Sequence, residues 1–140
     1  VQIWVHLVWR TKDSERLFFN ENAVEIRNHI IDYAKQEKIS LEAIQIQPEH
    51  VHALINLPSN VLLKDVIKKL KGESSHFVNS ENLLNKSFSW ARGYGGFSLG
   101  ASQLETVKKY IENQKEHHRV KSFNEEWSIL LQKYGLEENR

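Results

Sequence analysis

The first ten residues, VQIWVHLVWR, constrain this chain more than any other stretch. Side chains alternate between the two faces of a strand, so Val1, Ile3, Val5, Leu7 and Trp9 fall on one face and Trp4, His6 and Val8 on the other. Both faces are apolar or aromatic, so the segment is predicted as a strand covered on both sides, central in its sheet. Any fold for this chain therefore needs layers above and below that strand.

The remaining elements follow from periodicity. Val24, Ile26, Ile30, Ile31, Tyr33 and Ala34 recur at helical spacing from Asn22 to about Lys38. Ile39 to Gln47 and His50 to Leu57 are apolar runs separated by Pro48 and Glu49, which predicts an antiparallel hairpin. Ser59 is placed as the cap of a helix lined by Leu62, Leu63, Val66, Ile67 and Leu70. Residues 72–87 are polar and carry no clear period. Ser89 to Leu99 has the aromatics of a strand, interrupted by Gly93, Gly95 and Gly96, which points to a bulge or a close backbone approach. Ser102 and Glu105 fit a capping box opening a helix over about 102–118, and a helical tail is predicted at about 124–135. The order β-α-β-β-α-β-α-α predicts an α+β fold, a split βαβ (ferredoxin/RRM-like) sandwich. Its sheet is mainly antiparallel, with about four strands and helices packed on it.

With 140 residues, 40% of them hydrophobic, the chain is expected to form one domain, 1–140, able to bury a core without covalent staples. It has no cysteine, which excludes disulfides, thiolate zinc sites and a cysteine nucleophile. No apolar run approaches the roughly 20 residues that span a bilayer, and no signal-peptide pattern opens the sequence, so a soluble, cytoplasmic protein is expected. The formal net charge of +1 conceals a segregation. Residues 20–50 hold six acids against three bases, and the tail from Glu125 is acidic too. Positive clusters lie around Lys64–Lys71, Lys86–Arg92 and Lys108–Lys121.

His50 and His52 stand at i and i+2 in the second strand of the hairpin, so both imidazoles share a face on which one metal ion can sit while Val51 points into the core. With seven histidines, chance alone supplies about a third of such a pair, so context must decide. A metal-dependent barrel hydrolase needs roughly 250 residues, and a jelly roll needs many short strands without long helices. A third ligand must then come from another element. Tyr110 and Gln114, at i and i+4, lie on one face of the penultimate helix, about 5.4 Å apart along its axis. They fit a division of labour in which an amide oxygen completes a metal site and a phenol attacks what the metal activates.

These residues carry a resemblance. The HVH strand, YIENQ from Tyr110 to Gln114, HLVWRTK from His6, the LKG element at Leu70 to Gly72 and W-x-x-GY from Trp90 to Tyr94 together resemble single-tyrosine HUH transposases of the insertion-sequence 200/605 type, including host-domesticated relatives acting on palindromic repeats. The match runs from about His6 to His118. The resemblance implies that His50, His52 and Gln114 bind Mg²⁺ or Mn²⁺ and that Tyr110 is the nucleophile, leaving a 5′-phosphotyrosine and a free 3′-hydroxyl. A tyrosine with an ordinary pKa near 10 needs the metal, a base or a water to release its proton.

The implied substrate is single-stranded DNA with hairpins, and the implied assembly a homodimer in which a tyrosine helix can complete its partner's site, with Gly100 as the hinge. Trp9, Trp90 and Tyr94 are candidate stacking platforms, each also readable as core. Arg10, Lys12, Lys64, Lys68, Lys71 and Arg92 are the basic candidates for DNA contact. On this reading the acidic segments face away and the positive clusters surround the metal. His6, His29 and His76 receive no role. A nucleic-acid-binding module without catalysis is the reading from a different class.

Overall fold

The structure, a computed structural model, describes residues 1–113 and 122–135. The elements follow the expected order: β1 (Trp4–Arg10), α1 (Asn20–Gln36), β2 (Ser40–Ile46), β3 (His50–Asn56), α2 (Leu63–Ser80), β4 (Gly95–Leu99), α3 (Leu104–Glu112) and α4 (Phe123–Lys133). Short 3-10 turns at Lys12–Ser14 and Ala101–Gln103 follow β1 and precede α3. The four strands form one antiparallel sheet in the order β2-β3-β1-β4, so β1 is central and flanked by β3 and β4. This is the split βαβ sandwich that the element order predicts.

Both faces of β1 are covered. Val5, Leu7 and Trp9 join Val51, Ala53 and Ile55 of β3 beneath Ile26 and Ile30 of α1 and Val66, Ile67 and Leu70 of α2. On the other face, Leu54 and Leu99 pack against Val107 and Ile111 of α3, and Val8 and Phe97 against Leu130 and Leu131 of α4. Along β2 the register shifts between Leu41 and Ala43, a bulge at Glu42. It explains why Leu41 and Ala43, two residues apart, join cores on opposite faces.

Several boundaries differ from expectation for local reasons. Helix α2 begins after Leu62, which caps it without a side-chain bond, so Ser59 is not the cap. It then runs on to Ser80. Its buried stripe is Leu70, Ser74 and Val78, and the serine in the middle breaks the apolar period. Ser74 Oγ donates to the Leu70 carbonyl and accepts from Trp90 Nε1 at 3.0 Å, so the polar residue is at home there. Asn82, at φ 49°, ends the helix in a left-handed cap, with Leu83 N–H donating to the Val78 carbonyl.

The strand expected over Ser89–Leu99 is regular only from Gly95. Ahead of it Trp90 makes one bridge to Thr11, Gly93 turns at φ +84°, and Lys71 Nζ donates to the carbonyls of Ala91 (2.8 Å) and Gly93 (2.9 Å). The Ser102–Glu105 capping box is absent: α3 starts at Leu104, and Gln103 Oε1 accepts from Gly100 N–H instead. Helix α4 runs Phe123–Lys133 against an expected span of about 124–135, with Ser122 Oγ accepting from the Glu125 N–H. Among the described residues no helix is long and apolar enough to cross a membrane.

Candidate metal centre and nucleophile

The start of β3 is fixed by backbone bonds. Pro48 O accepts from the N–H groups of Leu17 and Phe18, and Glu49 O accepts from Thr11. From this anchored turn His50 and His52 project onto the sheet face beneath α3 and α4, while Val51 enters the opposite core, as the alternation requires. Both imidazoles are fully buried.

Helix α3 brings Tyr110 against this pair. Its ring meets that of His52 edge-on at 5.9 Å between centroids, and Lys133 Nζ lies 4.3 Å from its centroid. Helix α4 supplies a residue that the sequence patterns did not reveal. Glu126 is 3% exposed, its carboxylate accepts the hydrogen bond of the Tyr110 hydroxyl, and ligating atoms of His50, His52 and Glu126 all lie within 4.8 Å of one another. Glu126, Leu130 and Tyr134 follow one another at four-residue spacing, so the acid occupies a core position of an amphipathic helix. That acid within the apolar stripe of α4 was the available signal. The acidic tail was expected to face away, and Glu126 corrects that expectation. So does Glu49, which is buried between Arg16 (Nη1–Oε2 3.6 Å) and His50 (Nδ1–Oε1 3.4 Å).

The low basicity of the buried rings keeps lone pairs available to a metal ion. Burial, aided by Lys133, lowers His6 to about 3; burial and the neighbouring rings of His6 and His50 hold His52 well below the usual histidine range. His52 is therefore neutral at physiological pH, with a lone pair to give. Among the described residues, His52 Nε2 and both ring nitrogens of His50 are buried without a hydrogen-bond partner. Two imidazole nitrogens and a carboxylate oxygen, desolvated and mutually in reach, fit a divalent ion. The carboxylate adds the oxygen that Mg²⁺ or Mn²⁺ prefers to an otherwise all-nitrogen pair.

The other candidate residues divide. Gln114, with residues 114–121, lies outside the described residues. Trp9 and Trp90 are buried core rings, whereas Tyr94 is 42% exposed. Tyr94 shares a groove with Arg10, Arg92 and Phe123 on the edge of the histidine face. Arg10 stands opposite His50 in the ladder, with its guanidinium 5.1 Å over the Phe123 ring. Lys12 is exposed in the turn after β1. The positive cluster at Lys64–Lys71 does not surround the histidines, because α2 packs on the opposite face of the sheet. Lys64 and Lys68 are exposed there, and Lys71 is bonded to the loop carbonyls. Lys86 and Lys108 are ion-paired with Glu15 and Glu42. Gly100 is at φ −79°, a conformation open to any residue. His29 stacks on Phe77 and pairs with Glu73, while His6 bonds directly to His52 and so belongs to the site.

Comparison with known proteins gives the family. Residues 1–114 match the family model described as "Transposase IS200 like". The chain is 27% identical over 120 residues to the ISDra2 transposase TnpA of Deinococcus radiodurans, covering 82% of this chain and 86% of that one. It is 21% identical over 121 residues to the transposase for insertion sequence element IS200 of Salmonella typhimurium, covering 82% and 78%. Among solved structures, a transposase candidate from Deinococcus radiodurans R1 superposes with a TM-score of 0.66 at 25% identity, covering 81% of this chain and 92% of that one. A REP-associated tyrosine transposase bound to a REP hairpin shares the fold, with a TM-score of 0.60 at 17% identity, covering 84% and 68%.

Proposed function

The chain belongs to the IS200-like transposase family, and from that premise we propose that it cleaves and rejoins single-stranded, hairpin-bearing DNA through a 5′-phosphotyrosine at Tyr110. The observation that carries the reading is the convergence of Tyr110 from α3, His50 and His52 from β3 and Glu126 from α4 on one buried spot.

His50, His52 and Glu126 hold the divalent ion, Mg²⁺ or Mn²⁺, with Gln114 as a further ligand by family resemblance. When bound, the ion supplies Lewis-acid stabilisation of the charge that builds on the scissile phosphate. The protein's own groups do the rest. The Glu126 carboxylate orients the Tyr110 hydroxyl and takes its proton as the oxygen attacks phosphorus. The Tyr110 O–P bond forms, the P–O3′ bond breaks, and the 3′-oxygen leaves as a hydroxyl with a proton returned by Glu126 or supplied by water. A later 3′-hydroxyl reverses the reaction on a new strand without ATP, because the phosphotyrosine conserves the energy of the broken phosphodiester. Arg10, Arg92 and the exposed Tyr94 line the groove beside the site and supply charge and a stacking face for the strand. Lys12, Lys64, Lys68 and Lys71 remain candidates for outer phosphate contacts.

The protein works in the cytoplasm as a homodimer. Within one chain Tyr110 already reaches the histidines, which supports action in cis; completion of the site in trans by the partner's tyrosine helix is the alternative that the family resemblance offers. Incubation with hairpin-bearing single-stranded DNA and Mn²⁺ or Mg²⁺ is expected to trap a covalent adduct on a denaturing gel. An adduct formed equally well by Tyr110→Phe would overturn the assignment.

A further inference from the structure

His6 of β1 and His52 of β3 are diagonal neighbours on one sheet face, since His52 stands opposite Val8 and His6 opposite Leu54. Their rings share a hydrogen bond, His6 Nε2 to His52 Nδ1 at 2.9 Å, and His6 Nδ1 lies 2.9 Å from the hydroxyl of Tyr134, just past the C-terminal end of α4. Three side chains thus form one line leading away from His52 Nε2. Each neutral imidazole carries a single proton, so the protons along this line can be ordered in only two ways.

In one order His52 Nδ1–H donates to His6 Nε2, and His6 Nδ1–H donates to the Tyr134 oxygen. His52 Nε2 is then a bare lone pair facing His50 and Glu126. In the other order Tyr134 donates to His6 and His6 donates to His52. That puts a proton on His52 Nε2, a buried atom with no hydrogen-bond partner among the described residues. Only the first order leaves His52 able to ligate.

We propose that His6 and Tyr134 are positioning residues for the metal centre: they hold the His52 imidazole in the orientation and tautomer that turn its Nε2 lone pair toward the ion. The inference rests on the metal-dependent reading of the site. It gives His6 a task that neither core packing nor the histidine pair assigns to it, and it links the end of α4 to the ion through two hydrogen bonds in addition to Glu126.

Calorimetric titration of the full chain with Mn²⁺ tests this, alongside ¹⁵N spectra of His52 with diamagnetic Mg²⁺. His6→Leu is expected to weaken Mn²⁺ binding about 10- to 100-fold, the range seen for lost partners of metal-bound histidines. His6→Gln, whose amide oxygen can accept from His52 Nδ1–H, restores most of it, and Tyr134→Phe gives a smaller loss. The spectra are expected to show the proton on Nδ1 of His52 in the loaded wild type. The proposal is overturned if His6→Leu binds as tightly as wild type, if His6→Gln is as weak as His6→Leu, or if His52 ligates through Nδ1. Should His6→Leu fail to fold, Tyr134→Phe and the wild-type spectra decide. A wild type that takes up no Mn²⁺ overturns the metal reading itself. Failure of the positioning role alone leaves wild-type uptake intact and still abolished by His50→Ala.

Discussion

The hydroxyl of Tyr110 donates its hydrogen bond to the carboxylate of Glu126, and this contact ties α3 to α4 directly above the histidine pair. The C-terminal helix is therefore part of the site. It contributes a carboxylate to the His50–His52 pair and a hydroxyl to His6, and it lays Phe123 edge-on to His50. A desolvated carboxylate beside two buried imidazoles is costly in the metal-free protein and favourable once a cation is present.

That cost makes Glu126→Leu a test with two opposite signs. The substitution replaces a buried acid by an apolar side chain in line with Leu130, so the chelated protein is expected to gain about 1–2 kcal/mol. Thermal unfolding in EDTA reads the gain. Calorimetry with Mn²⁺ reads the accompanying loss of affinity, and unchanged affinity would remove Glu126 from the ligand set.

Gly95 is required by α4 as well as by β4. A Cβ at this position would lie 2.5 Å from Trp127 Cζ3 and 2.9 Å from Cη2, closer than ring and methyl can approach. Gly95→Ala is expected to cost about 1–3 kcal/mol by overpacking, measured by urea unfolding. In the Gly95→Ala, Trp127→Leu double variant most of that cost should vanish, because the ring that the methyl meets is gone. A cost that persists would place the strain in the β4 backbone instead.

What the sequence disclosed and what it hid differ in a physical way. The central strand, the hairpin and the shared face of His50 and His52 follow from alternation, which local residues enforce. Ser74, Glu126 and His6 were opaque because each is a polar residue at a buried position whose partner lies far along the chain: Trp90 for Ser74, Tyr110 for Glu126, His52 for His6. Periodicity registers such residues as interruptions of an apolar stripe. The Gly93-Gly95-Gly96 run suggests a close approach of backbone, whereas the close neighbour at Gly95 is the Trp127 ring. Ser102 fails as a cap because Gln103 reaches the Gly100 N–H, a competition that composition cannot rank.

Lys71 separates a structural from a DNA-binding role. Its ammonium donates to two loop carbonyls, and burial lowers its pKa from the usual lysine value. Lys71→Ala is expected to destabilise the fold by about 1–2 kcal/mol through those charged hydrogen bonds, whereas Lys64→Ala and Lys68→Ala, on the exposed face of α2, should leave the unfolding midpoint within about 0.5 kcal/mol of wild type. Hairpin-DNA binding measured at two salt concentrations completes the comparison. If Lys71→Ala weakens DNA binding with no change in stability, the lysine contacts phosphate directly.

The buried histidines make the metal-free protein acid-sensitive, and the sign follows from linkage. His6 falls from 6.5 in the unfolded chain to about 3 in the folded one, and His52 is lowered as well. Below pH 6.5 the unfolded state therefore binds protons that the folded state refuses, so stability is fully present above that value and declines as the pH falls toward about 3. His6 alone contributes a loss of about 2 kcal/mol between pH 7.5 and pH 5, and His52 adds to it in the same direction. Urea unfolding in EDTA at pH 7.5, 6 and 5 measures the slope. Mn²⁺ competes with protons for His52, so saturating metal should move the decline to lower pH. A metal-free stability that stays flat from pH 7.5 to pH 5 would mean that the two rings accept protons in the folded state, and the bare Nε2 of His52 would lose its basis.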